Sequence, residues 1–223
     1  MKNNEDLQKD VQNAIKWEPL LNAAEIGVTA KDGVISLTGV VDSYTKKLQA
    51  ENAAKNVAGV KAVVEKIEIK FSSSWNKSNV DIANEVLNAL KGRWDVPSDK
   101  IKVKVEDGWV TLDGEFPWNY QRQAAQDAVN YLNGVKGITN NIMVKPETNE
   151  EIEKKNLEAA LASNWSLMLK NIVVNVRGNN VRLTGTVDSI YQKEEAERIA
   201  WRTPGIWTVD NDLVVEYDYS FAD

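Results

Sequence analysis

The sequence predicts an α+β protein made of three tandem copies of one αββαβ unit, each a three-stranded mixed sheet with two helices on one face. Three observations predict it. Leu37-Thr38-Gly39, Leu112-Asp113-Gly114 and Leu183-Thr184-Gly185 recur 75 and then 71 residues apart, the mark of an internal repeat. Twenty residues after each comes a second glycine with a branched neighbour: Gly59-Val60, Gly134-Val135 and Gly205-Ile206. Flanking apolar positions keep the same register, from Ile26-x-Val28, Ile101-x-Val103 and Ile172-x-Val174 to Ile67-x-Ile69, Ile142-x-Val144 and Leu213-x-Val215.

Each unit opens on an amphipathic helix, because Leu7, Val11, Ala14 and Ile15 fall at i, i+4, i+7 and i+8. Ile26, Val28 and Ala30 then alternate, as do Ile101, Val103 and Val105, the period of a half-buried strand. Asp32-Gly33, Asp107-Gly108 and Gly178-Asn179 follow in register. Such dipeptides suit a tight hairpin, whose primed turn needs positive φ. The second strand carries Ile35 and Leu37, Val110 and Leu112, or Val181 and Leu183. An alanine-rich helix comes next, with Ala50, Ala53, Ala54 and Val57 in the first copy. Ser189 and Gln192 resemble a capping box at its start in the third. Gly59, Gly134 and Gly205 suit the left-handed residue that ends a helix. A third strand completes the unit, parallel to the second because a β-α-β crossover joins them.

Ser72-Ser73-Ser74 and Pro146-Glu147-Thr148-Asn149 read as linkers. The expected domains are therefore 1–71, 76–146 and 149–218. Units of roughly 70 residues have marginal cores, so neighbours are expected to support one another.

Composition excludes several classes of function. The 223 residues include no cysteine and no histidine. That removes disulfides, thiol nucleophiles, Cys/His zinc sites and any serine–histidine triad. A net charge of −6 argues against a nucleic-acid footprint. No apolar run approaches the length needed to span a bilayer. The first ten residues lack the apolar core of an export signal, so the expected location is cytoplasmic. A trimmed mature chain behind an added methionine predicts the periplasm instead.

The succession of helix, x-V-x-V, D-G-x-V-x-L-x-G, alanine-rich helix and G-V-x-x-V-x-N-x-I-x-V resembles the BON family across residues 5–217. Gly114-Glu115-Phe116-Pro117-Trp118-Asn119-Tyr120-Gln121 is similar to a subgroup of triple-BON bacterial proteins without export signals. The resemblance implies the αββαβ fold, no catalysis, no cofactor, and binding of phospholipid membranes or protein partners, often under osmotic or envelope stress. The third-strand asparagine of the family motif is present as Asn140 and Asn211, whereas the first copy has Glu65.

Several residues stand out as candidate contacts. Asn140 and Asn211 share the parity of the apolar residues around them, and are either ligand contacts or structural amides that satisfy backbone. Gly39, Gly114 and Gly185 permit a bend or close packing, or let a ligand approach the backbone. The chain has eight tryptophans (Trp17, Trp75, Trp94, Trp109, Trp118, Trp165, Trp201 and Trp207), mostly outside the repeated apolar positions. They read as interfacial anchors or as packing between adjacent domains. Asp210-Asn211-Asp212 lacks the glycine turn and terminal glutamate of a calcium loop.

Charge is uneven. Residues 1–71 hold ten acidic and ten basic side chains and 72–146 nine of each, but 147–223 hold fourteen acidic and eight basic. Glu150, Glu151 and Glu153 then favour the start of a helix. The second copy differs in another way: Pro117-Trp118-Asn119-Tyr120, with Arg122 one turn on, replaces the capping residues Asp42-Ser43 and Asp188-Ser189. Trp118, Tyr120 and Arg122 are the expected contact residues. The expected function is non-catalytic binding of a phospholipid surface or a stress-related protein, or else holdase-like action on unfolded chains.

Overall fold

The computed structural model describes residues 3–71, 77–145, 154–164, 166–167, 171–203 and 205–216. The expected linkers, Trp75, Trp165 and the Glu150, Glu151 and Glu153 cluster lie outside the described residues.

Three repeats of helix, hairpin, helix and strand follow one another. The first comprises α1 (Asn4–Trp17), β1 (Ile26–Lys31), β2 (Val34–Val41), α2 (Tyr44–Lys55) and β3 (Ala62–Ile69). The second comprises α3 (Asn79–Lys91), β4 (Ile101–Glu106), β5 (Trp109–Phe116), α4 (Asn119–Asn130) and β6 (Gly137–Val144). The third comprises α5 (Lys154–Ser163), β7 (Ile172–Arg177), β8 (Asn180–Val187), α6 (Ile190–Ala200) and β9 (Thr208–Val215). Each sheet places its hairpin's second strand in the centre, in the orders β1-β2-β3, β4-β5-β6 and β7-β8-β9. The hairpins are antiparallel, and β5 with β6 and β8 with β9 are parallel.

By contact density the chain divides into two compact units. One holds Met1–Gly39, Leu48–Ile67 and Asn149–Asp223, and the other Val40–Lys47 and Glu68–Thr148. In the second unit the core gathers Ile82, Val86 and Leu90 from α3 against Val110, Leu112 and Phe116 of β5 and Ala125 and Val129 of α4. Tyr44 packs against this core, and the Thr45 hydroxyl donates to the Asn130 carbonyl at 3.1 Å. In the first unit Leu157 and Leu161 of α5 meet Val181, Leu183 and Val187 of β8 and Ala196 and Ala200 of α6. There the Gly59 N–H donates to the Asp188 carbonyl at 3.1 Å, and the Lys55 ammonium lies 2.8 Å from Glu194. Sequence-distant helix ends therefore meet within each unit.

The glycines separate into two roles. Gly39, Gly114 and Gly185 face Ile26, Ile101 and Ile172 in the hairpin registers. A Cβ there would stand 2.0, 2.6 and 2.0 Å from the carbonyl oxygens of Glu25, Lys100 and Asn171. The close neighbour is thus the backbone entering the first strand. Gly59, Gly134 and Gly205 have φ of 93°, 94° and 83°, the left-handed region expected of them. Their place differs from the expected helix cap. The preceding helices end at Lys55, Asn130 and Ala200, so each glycine shapes the turn into the third strand. The buried residues Val60, Val135 and Ile206 follow at once. A further turn separates helix end from strand: the Val60 N–H donates to the Val57 carbonyl at 3.2 Å and the Val135 N–H to the Leu132 carbonyl at 3.3 Å.

Candidate functional site

The expected contact residues cluster on one turn. Strand β5 ends at the buried Phe116, and Trp118 takes the N-cap position of α4 with φ −134° and ψ 139° and no capping side-chain bond. In α6 the same position is Ser189, whose side chain accepts from the Gln192 N–H at 3.2 Å. Gln192 Oε1 in turn accepts from the Asp188 N–H at 2.7 Å. The expected capping box is therefore closed one residue upstream of the N-cap. The equivalent pair in the second repeat is Pro117 and Gln121, and proline has no N–H to give. Gln121 Oε1 is accordingly buried without a partner, as is Asn119 Oδ1. A first helical turn with an apolar cap and two unmet acceptors loses stability, on the order of 1 kcal/mol for the missing cap alone.

Both rings on this turn reach solvent. Trp118 is 40% exposed and Tyr120 55%, and neither belongs to the core below them. Trp118 and Arg122 are four residues apart and share a helix face, whereas Tyr120, two from each, does not face either. Arg122 is half-buried, and its carbonyl accepts from the Asn140 side chain at 3.0 Å.

Asn140 and Asn211 tie the second helix to the third strand. Asn140 Nδ2 also donates to Gln126 Oε1 at 3.3 Å, and its Oδ1 accepts from the Ile142 N–H at 3.2 Å. Asn211 repeats the pattern, donating to the Lys193 carbonyl at 2.8 Å and Glu197 at 3.2 Å while accepting from the Leu213 N–H at 3.4 Å. Glu65 keeps the accepting half, taking the Ile67 N–H.

The remaining tryptophans are dispersed. Trp17 and Trp94 are exposed, Trp94 to 94%. Trp109 spreads over Gly137, where a Cβ would stand 2.4 Å from its ring, and its Nε1 donates to Thr139 at 2.8 Å. Trp201 is half-buried at the end of α6, and Trp207 is exposed before β9.

Glu195 escaped the sequence reading. It is 7% exposed and bound to Arg198, whose Nε lies 2.6 Å away. It also accepts from Asn164 at 3.0 Å. The Arg198 hydrogen bonds hold its carboxyl below the ordinary glutamate value, against the opposing effect of burial. The available signal was an acid aligned with buried Ala124 of the second copy. Among the described residues no cluster of three acids could hold a metal ion. No helix there is long and apolar enough to cross a membrane.

Fold and site together define a tandem αββαβ repeat protein with exposed aromatic residues on one helix start. The chain belongs to the BON family, whose domain matches residues 3–70, 78–146 and 149–217. It is 26% identical over 129 residues to osmotically-inducible protein Y of Escherichia coli (strain K12). That match takes in 56% of this chain and 64% of the relative's length. Among solved structures, the C-terminal domain of CdsD, a structural protein of the type III secretion system of Chlamydia trachomatis, is 17% identical. It aligns over 95% of this chain and 98% of its own, with a TM-score of 0.26. The PrgH periplasmic domain is 9% identical over 86% of this chain and 96% of its own, at a TM-score of 0.23.

Proposed function

We propose that this is a non-catalytic, stress-related binding protein that engages phospholipid surfaces through the first turn of α4. The three modules are taken as 1–71, 76–146 and 149–218. One observation carries the reading: Pro117 and Trp118 forgo the cap that Asp188 and Ser189 make, and leave Gln121 Oε1 unmet, while presenting exposed indole and phenol rings. Tryptophan and tyrosine favour the boundary between headgroup and acyl chain, and the stem of an arginine on the face of Trp118 lets its cation reach a phosphate. Membership of the BON family and likeness to an osmotically inducible protein support a stress-related role. A chain without cysteine or histidine supports the non-catalytic one.

Charge narrows the lipid. The second module is neutral and the third supplies the whole net charge of −6, so anionic headgroups gain little and zwitterionic ones suffice. Co-sedimentation tests this with vesicles of phosphatidylcholine and phosphatidylethanolamine, alone or with added phosphatidylglycerol. Binding to the zwitterionic vesicles, not increased by the anionic lipid, is expected. Absence from every pellet overturns the lipid reading in favour of a protein partner, and suppression of a client's aggregation would favour a holdase. Cell fractionation decides between the expected cytoplasmic location and the periplasmic alternative.

A further inference from the structure

The outward face of the third sheet carries a half-open concavity of about 650 Å³. Its floor is two cross-strand rows, Asn175–Arg182–Asp210 and Arg177–Asn180–Thr208. Arg182 is taken by Asp212 at 2.5 Å. Among the described residues neither Arg177 nor Asp210 has an ion-pair partner, although they carry opposite charge in one cavity. They stand on the two edge strands with β8 between them and two residues apart along it, roughly 12 Å apart by the spacing and rise of strands. Asn180 Oδ1 accepts from the Thr208 hydroxyl at 2.5 Å, which leaves its NH₂ as a donor beside Arg177.

The second module closes the same place with its own side chain. Trp109, at the position of Asn180, lays its indole over Gly137, at the position of Thr208, and bonds Thr139, at the position of Asp210. The first module has Lys31, Val34, Ala62 and Val64 there. Among the described residues, the third module joins an open floor to an unpaired cation and an unpaired anion.

We infer that this cavity binds a small zwitterion, its carboxylate on Arg177 and the Asn180 amide and its ammonium on Asp210. Charge complementarity selects the class. A simple anion meets Arg177 but also the field of Asp210 in an acidic module, and a simple cation meets Arg177 as a repulsive neighbour. Arg177 and Asp210 lie far enough apart that a zwitterion with several bonds between its charges spans them, and glycine does not.

The test uses the full chain, ¹⁵N-labelled, titrated with 6-aminohexanoate, hexanoate, hexylammonium and glycine. Saturable shifts of the Asn175 and Asn180 side-chain amides are expected with 6-aminohexanoate, at least tenfold tighter than with either half-charged analogue or with glycine. Arg177→Gln and Asp210→Asn should each weaken that binding tenfold or more, and the other amide signals report that the fold is kept. Equal binding of hexanoate, or indifference to Asp210→Asn, overturns the proposal, as does the absence of any saturable shift.

Discussion

The side-chain amide of Asn140 donates to the backbone carbonyl of Arg122 across 3.0 Å, pinning the first turn of α4 to the middle of β6. Asn211 does the same to Lys193 across 2.8 Å. One amide meets a helix carbonyl, a helix side chain and a strand N–H at once, and asparagine is suited to this because it carries donor and acceptor on a short stem. Glu65 of the first module takes the strand N–H of Ile67 in the same way, but a carboxylate cannot donate to a helix carbonyl as the amide does.

Asn140→Ala and Asn211→Ala should each lower stability by about 2 kcal/mol, since each strands partly buried backbone groups. Urea melts followed by far-UV circular dichroism measure this. A loss under about 0.5 kcal/mol for both would show that water replaces the clamp at no cost.

The repeated glycines should fail in a set order. Gly39→Ala and Gly185→Ala place a Cβ 2.0 Å from a carbonyl oxygen at φ of 137° and 124°. Gly114→Ala meets its carbonyl at 2.6 Å, and its φ is not positive. The first two should therefore cost more than the third, by about 1 kcal/mol or more of added backbone strain. Gly134→Val should also destabilise by about 1 kcal/mol or more, because its φ is 94° and Ile82 stands 3.0 Å from any added Cβ. Denaturation midpoints give the order directly.

Acid should weaken the third module through Glu195. Arg198 holds its folded carboxyl below the unfolded value of about 4.5. A depressed pKa contributes stability above the unfolded value, and that contribution is lost as pH falls through the folded one. Between pH 5 and pH 3 the wild type should therefore lose more stability than Glu195→Gln. Melting points at several pH values check it, and parallel curves for the two proteins would remove Glu195 from the acid response.

What was legible in the sequence was local or repeated. The D-G hairpins, the apolar stripes and the paired glycines depend on neighbours a few residues away, and three copies made each pattern visible three times. Positive φ at Gly59, Gly134 and Gly205 was legible, but its place beyond the helix end was not, because a further hydrogen-bonded turn, closed at Val60 and Val135, leaves no residue signature of its own. Contacts between helix ends left no local trace. Thr45 and Asn130 are 85 residues apart, and Lys55 and Glu194 are 139 apart. The unmet acceptor of Gln121 became intelligible only beside Gln192, whose partner N–H is missing at Pro117.

That comparison yields the sharpest test of the α4 surface. Pro117→Asp with Trp118→Ser rebuilds in the second module the start that α6 already has. The introduced aspartate would return an N–H to the Gln121 side chain, and the introduced serine would cap the Gln121 N–H, as Asp188 and Ser189 do for Gln192. Together they should stabilise the module by about 1–2 kcal/mol, while removal of the exposed indole weakens vesicle co-sedimentation. Trp118→Ala with Tyr120→Ala should weaken binding as well, yet leave the melting midpoint nearly unchanged, because neither ring belongs to the core. Stability and binding would then move independently, as expected of residues kept for contact at the expense of the fold. A rebuilt cap that lowers the midpoint, or leaves binding intact, would instead make Trp118 a packing residue and exclude this turn as the membrane contact.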